Sequence, residues 1–242
     1  MTRPASLRPL ALSAVAAVAW CLILGGIAGG DPMLVVEAVA GSAIILWALH
    51  ITRELVEGWR LERTLATDAT VVVIGGVPCR LTPALGTDAV VIGPIRPRIY
   101  VGIDLVRTLS GDEIEAVLYH EDHHRQTLAP LRAAALTGWL RLFGRAAPVR
   151  RVVLDRLADL ETMADAEAIR RGSTAGSLAR AILKGGEPVG VCAAFSYAAE
   201  RRVEHLLNHV DGEVPAGSRR LPYEWLPVAM LAVTAIGCHL GL

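Results

Sequence analysis

Two histidines four residues apart, with a glutamate beside the first, form a metal-hydrolysis pattern, and His120-Glu121-Asp122-His123-His124 carries it as H-E-x-x-H. On a helix, residues four apart project about 40° from one another, so both imidazoles can hold one zinc ion. Glu121 then reaches the water that zinc activates and serves as general base, accepting its proton and passing it to a leaving amine. The chemistry implied is peptide-bond hydrolysis. His123, one residue before the second ligand, points about 100° away from it and is expected at the surface or in a hydrogen bond rather than on the metal.

Two histidines leave zinc short of a third protein ligand. Glu161 and Asp165, four apart in a later helical pattern, put two carboxylates on one face. Glu161 is the expected third ligand, and Asp165 is placed to accept the free ring N–H of a ligating histidine, fixing its tautomer. Asp155, Asp159 and Glu167 would make the same segment a solvated acidic face were there no motif upstream. His205, His209 and Asp165 itself stay open as alternative third ligands. Arg202 or His205 can donate to the oxyanion of a tetrahedral intermediate, with an ion pair to the acidic neighbours of Glu161 as the competing role of Arg202.

The elements that must position these groups are legible from pattern. Ser110 and Glu113 make a capping box, and Ile114, Val117, Leu118 and Leu128 recur at helical spacing, which predicts a helix over 111–127. A second helix fits 152–171, stopped by Gly172, and a third fits 191–210. Short β-branched or apolar runs over 70–74, 79–81, 89–92 and 98–101, separated by Gly and Pro, predict a small sheet. The run over 98–101 reads either as an edge strand, to which an extended substrate adds, or as core sheet.

Hydrophobic residues make up 53% of the 242, above a soluble average, so membrane segments are expected. An apolar run over 9–27 and a second over 33–52, joined by Gly29-Gly30-Asp31-Pro32, read as a transmembrane hairpin. Glu37 lies within about a turn of the interface and is expected to reach headgroups or water. A third, shorter run over 225–242 contains Pro227 and His239. Arg3, Arg8, Arg53, Arg60 and Arg63 flank the hairpin and Arg219-Arg220 precede the last run, while the hairpin turn has no basic residue. The positive-inside rule therefore puts the middle of the chain in the cytoplasm. Trp47, Trp59 and Trp225 fall near the expected interfaces. The expected organisation is a membrane hairpin (1–52), a cytoplasmic peptidase domain (53–220) and a C-terminal span (221–242). Twenty-four basic residues balance twenty-four acidic ones, which gives no overall field for nucleic acid. Cys21, Cys79, Cys192 and Cys238 lack any C-x-x-C pairing and read as buried thiols.

An ordered set of motifs adds a resemblance. Gly93-Pro94-Ile95-Arg96-Pro97-Arg98-Ile99-Tyr100-Val101, Leu109-Ser110-Gly111-Asp112-Glu113, Val117-Leu118-Tyr119-His120-Glu121 with His124, Glu161-x-x-Ala164-Asp165, and Arg201-Arg202-Val203 before Leu206-Leu207 follow one another over about 90–207. The chain thereby resembles the peptidase domain of the BlaR/MecR-type membrane metallopeptidases of bacteria. A heat-shock-type membrane zinc peptidase family also has an amino-terminal hairpin and H-E-x-x-H, but the G-P-x-x-P-R-I-Y stretch favours the first match. The resemblance implies an α+β, zincin-like (gluzincin) zinc endopeptidase in a multi-pass bacterial membrane protein. It would cleave itself or a cytoplasmic protein such as a transcriptional repressor, and Tyr100 joins Arg202 and His205 among the substrate or transition-state contacts it suggests. No penicillin-binding domain is expected after the last apolar run, so β-lactam sensing is not carried over. The rival expectation is a non-catalytic membrane sensor or scaffold with a structural metal.

Overall fold

The computed structural model describes residues 32–93 and 96–185, with isolated helical positions at Ile23, 25–27, Gly29, Arg202 and Leu206. The expected spans over 9–27 and 225–242, nearly all of the helix expected over 191–210, the side chain of Glu37, and Cys21, Cys192 and Cys238 lie outside the described residues. Cys79 is a buried free thiol, as expected. The chain divides into two compact units, one of 1–52 with 220–242 and the other of 53–219.

Helix α1 runs Pro32–Ala66. By length and composition it contains one stretch, Ala38–Ala66, able to cross a membrane, the single such helix among the described residues. The helix does not stop at Thr52, where the apolar run ends. Its continuation is rich in Arg, Glu and Leu, all good helix formers, and Arg53 bonds Glu57 one turn on at 2.7 Å.

The second unit is α+β, with a four-stranded sheet ordered β1-β2-β4-β3. Strands β1 (Thr70–Ile74) and β2 (Val77–Thr82) form an antiparallel hairpin, while β3 (Ala89–Ile92) pairs antiparallel with β4 (Arg98–Gly102). β2 and β4 run parallel, with Arg80 opposite Tyr100 and Leu81 opposite Val101. Strand β4 is therefore internal, paired on both sides. This corrects the edge-strand alternative for 98–101: its backbone groups are already used within the sheet, and it offers no free edge to a substrate. Gly102 ends β4 where no side chain fits, since a Cβ there would run into the carbonyl oxygen of Gly86.

Period-two alternation splits the sheet's faces. Ile99 and Val101 point to a core with Val77, Cys79, Ile114 and Leu118, whereas Tyr100 packs on the other face with Leu65 and Ile92. Ile114 and Leu118 come from the second of the helices that follow the sheet: α2 (Ile103–Thr108), α3 (Gly111–Gln126), α4 (Ala129–Phe143), α5 (Ala147–Arg170) and α6 (Ala175–Lys184). Pro130 ends α3. In a continuous helix its ring would meet the carbonyl of Gln126 and it has no N–H to give, so the chain turns at Leu128, which adopts φ 53. Leu128 thus leaves the helix that its spacing suggested. Pro148 has the opposite effect, because proline is tolerated in a first turn, and α5 begins earlier than the pattern over 152–171 predicts.

Candidate metal centre

The cluster is built on α3 and α5. The capping box at the head of α3 forms as expected, with the Ser110 N–H donating to Glu113 at 3.0 Å. This fixes where the helix starts and hence which face His120 and His124 present. Small residues thin both helices: Ala116, Ala158, Ala164 and Ala168 are all buried, which lets the two backbones approach closely. A further tie joins their other ends. Asp122, buried, accepts from Arg171 just beyond α5 at 2.7 Å, and from Arg125 and Gln126 on its own helix at 2.8 and 2.7 Å. Burial pushes the Asp122 carboxyl up, but Arg171 and Arg125 outweigh it and hold the group below its ordinary value. Sequence reasoning passed over this residue. Its only signal was an acid at an x position of H-E-x-x-H with an arginine beyond the later helix.

This packing brings His120, His124 and Glu161 together. One ligand atom from each lies within 4.8 Å of the others, the only such group of three or more His, Cys, Asp or Glu among the described residues. The two Nε2 atoms are 3.0 Å apart, and each lies 3.4 Å from a Glu161 oxygen, His120 from Oε2 and His124 from Oε1. A tetrahedral ion with ligands at 2.0–2.1 Å would hold its donors about 3.3 Å apart, so the donor spacing fits a zinc-sized cation. Two imidazoles and a carboxylate at this spacing are a donor set that such a cation takes, the imidazoles giving up their Nε2 protons to it.

Asp165 is buried on the far side of His120, its Oδ1 2.7 Å from His120 Nδ1. That contact puts a proton on Nδ1 and turns Nε2 towards Glu161. The orienting role expected of Asp165 therefore has a specific recipient, His120. His124 differs: its Nδ1 is buried with no hydrogen-bond partner among the described residues. Arg202 grips Asp165 with two bonds, Nε to Oδ2 at 2.9 Å and Nη2 to Oδ1 at 2.8 Å, and its Nη1 lies 3.3 Å from Glu161 Oε2. Of its two expected roles, the ion pair is the one made in this arrangement.

The charges reinforce one another. Burial alone raises the Glu161 and Asp165 carboxyls, yet the two imidazoles hold Glu161 well below its ordinary value, and His120 with Arg202 hold Asp165 below its own. Burial and Arg202 push His120 down, but Asp165 and Glu161 prevail and hold it at about 9. Glu121, half-buried beside the cluster, has its carboxyl pushed up by burial against the pull of His124 and His120. His123 stands outside the cluster, and burial with His124 nearby lowers it to about 4. Tyr100 is not brought to the cluster: it is buried on the opposite face of the sheet, its hydroxyl accepting from Arg80 at 3.0 Å. His205 and His209 lie outside the described residues. No family model, curated protein or solved structure matches the chain.

Proposed function

We propose that this chain is a membrane-bound zinc endopeptidase. The observation that carries the reading is the convergence of His120 Nε2, His124 Nε2 and the Glu161 carboxylate at tetrahedral spacing, with a second carboxylate, Glu121, beside them. Zinc held by these three residues supplies Lewis acidity, acidifying water and polarising a peptide carbonyl. The rest is the work of the protein's own groups. Asp165 keeps the proton of His120 on Nδ1, and Arg202 neutralises Asp165 and Glu161 so that three carboxylates can share one small volume. Glu121, raised by burial, is basic enough to take a proton from water and acidic enough to give it to the leaving nitrogen.

The membrane part of the reading is a hairpin and a third span with the 53–220 region in the cytoplasm of a bacterium, supported by α1 and by the placement of arginines. The substrate class is a cytoplasmic regulatory protein, such as a transcriptional repressor, or the chain itself, as the resemblance to the BlaR/MecR-type peptidases suggests. Protease added outside sealed vesicles of native orientation should leave 53–220 intact; its digestion there would reverse the topology.

The test of function is Glu121→Gln. Glutamine keeps the shape of glutamate but accepts no proton at that position, so zinc content should stay at the wild-type level while cleavage of a casein-type substrate falls by about 10²-fold or more. Comparative proteomics of stressed cells carrying wild type or Glu121→Gln should then reveal a fragment present only with the wild type. Wild-type cleavage by Glu121→Gln would remove the general base and leave any metal a structural role.

A further inference from the structure

Outside the metal cluster, the second unit has a groove of about 450 Å³ between the end of α1 and the residues that join β3 to β4. Trp59, Glu62 and Arg63 line it from the helix, and Gly93, Arg96 and Arg98 from the turn and strand. The carboxylates nearby are already matched: Glu62 with Arg98 at 3.0 Å, Glu57 with Arg53 at 2.7 Å, and Glu54 with Arg141 at 3.7 Å. Among the described residues, Arg60, Arg63 and Arg96 have no carboxylate partner. The local excess is therefore positive although the whole chain is neutral.

The geometry of two of these arginines suits an anion. The Arg63 guanidinium lies over the Trp59 indole, Cζ 3.6 Å from the ring centroid, which holds it flat and leaves its N–H edge free. The Arg96 carbonyl lies close against Gly93. Gly93 has φ 113, and a Cβ there would stand 2.9 Å from the Arg96 carbonyl oxygen, so the turn closes tightly only on glycine. Two guanidinium forks at one groove beside an aromatic plate make a receptor for a phosphate diester, which takes paired N–H bonds from arginine.

Position decides the source of that phosphate. Trp59 and Arg63 follow Arg53, the first charge after the apolar run, within about 15 Å of helix, which reaches through the headgroup layer into the adjacent Debye length. Tryptophan and clustered arginine at that depth favour a lipid surface over a soluble anion. We propose that the groove binds the headgroup phosphate of an anionic phospholipid and so seats the peptidase unit against the membrane. The proposal rests on the reading that α1 crosses the bilayer.

The experiment uses the full chain. Wild type and the Arg63→Gln/Arg96→Gln double variant are reconstituted, and flotation with phosphatidylcholine vesicles after a carbonate wash reports the span. Binding of phosphatidylglycerol, phosphatidylcholine and free glycerol phosphate to the detergent-solubilised protein reports the groove. Both proteins should float and melt alike. Wild type should prefer phosphatidylglycerol by about tenfold in a salt-sensitive way, and the double variant should lose that preference while Arg107→Gln, a surface change elsewhere, keeps it. A wild type that floats but does not discriminate, a double variant that still does, or glycerol phosphate binding as tightly as the lipid would each overturn the headgroup site alone. A wild type that fails to float would overturn the membrane reading beneath it.

Discussion

Helix α3 carries buried charge at two places, and they are resolved in opposite ways. At its first turn Glu113 is buried, but Lys184 donates to it at 2.7 and 3.0 Å, Arg180 at 3.0 Å and the Ser110 N–H at 3.0 Å. Every oxygen faces a proton of the protein, and the Lys184 and Ser110 bonds lead in holding its carboxyl at about 2. Two turns on, His120, His124 and Glu161 point their acceptors at one another. Of the proton donors there, His120 Nδ1 is turned away to Asp165, while the Arg202 guanidinium grips Asp165 and also reaches Glu161 Oε2 at 3.3 Å. A buried carboxylate matched by cations is a structural joint, here between α3 and α6. Two imidazole nitrogens and a carboxylate converging at tetrahedral spacing mark a place for an added cation, which would take the place of the imidazole protons.

The largest effects should come from breaking that contrast at the cluster. Glu161→Ala removes a ligand and should strip zinc after mild dialysis, whereas Asp165→Ala removes an orienting partner and should weaken zinc by about 10–100-fold. Elemental analysis with zinc-dependent melting distinguishes them; full zinc in both variants would take Glu161 out of the ligand set.

Glu113→Gln should act on stability and leave zinc alone. The sign follows from its carboxyl, lowered from 4.5 to about 2 on folding. The unfolded chain binds the proton more readily, so the stabilisation is complete above about pH 4.5 and is lost as pH falls towards 2. Denaturant melts should show wild type losing stability over that window and Glu113→Gln, already less stable at neutral pH, losing less. Parallel pH profiles would mean that the joint contributes nothing.

The smallest effect is expected at the cap of α6, the helix that delivers Arg180 and Lys184. The Thr174 hydroxyl oxygen accepts from the Ser177 N–H at 3.0 Å. Thr174→Ala should cost about 1 kcal/mol in a denaturant melt with zinc content unchanged. A loss of zinc in this variant would show the two ends of α3 to be coupled rather than separate.

Much of this contrast could be read before any coordinates. The capping box places the start of α3, and helical geometry then dictates that His120 and His124 share a face. β1 and β3 match their expected runs residue for residue, because β-branched stretches bounded by Gly, Pro and Asp are local signals. Helices α4 and α6 were not among the expected elements. α4 has little amphipathic period of its own and packs on α5, whereas α6 carries a cap at Thr174 and a clear apolar face, signals that the sequence did offer.

What the sequence determined by itself was the set of groups and their spacing along each helix: two imidazoles and a glutamate on one element, two carboxylates on another. Which carboxylate faces both imidazoles, which histidine Asp165 orients, and that Arg202 serves Asp165 were decided only by the fold. So were the internal position of β4, the burial of Tyr100 away from the cluster, and the ties of Asp122 to Arg171 and Glu113 to Lys184. The reason is physical: periodicity fixes directions within an element, whereas distances between elements follow from how small residues such as Ala116 and Ala164 let helices close on one another, a property of pairs that no single stretch of sequence contains.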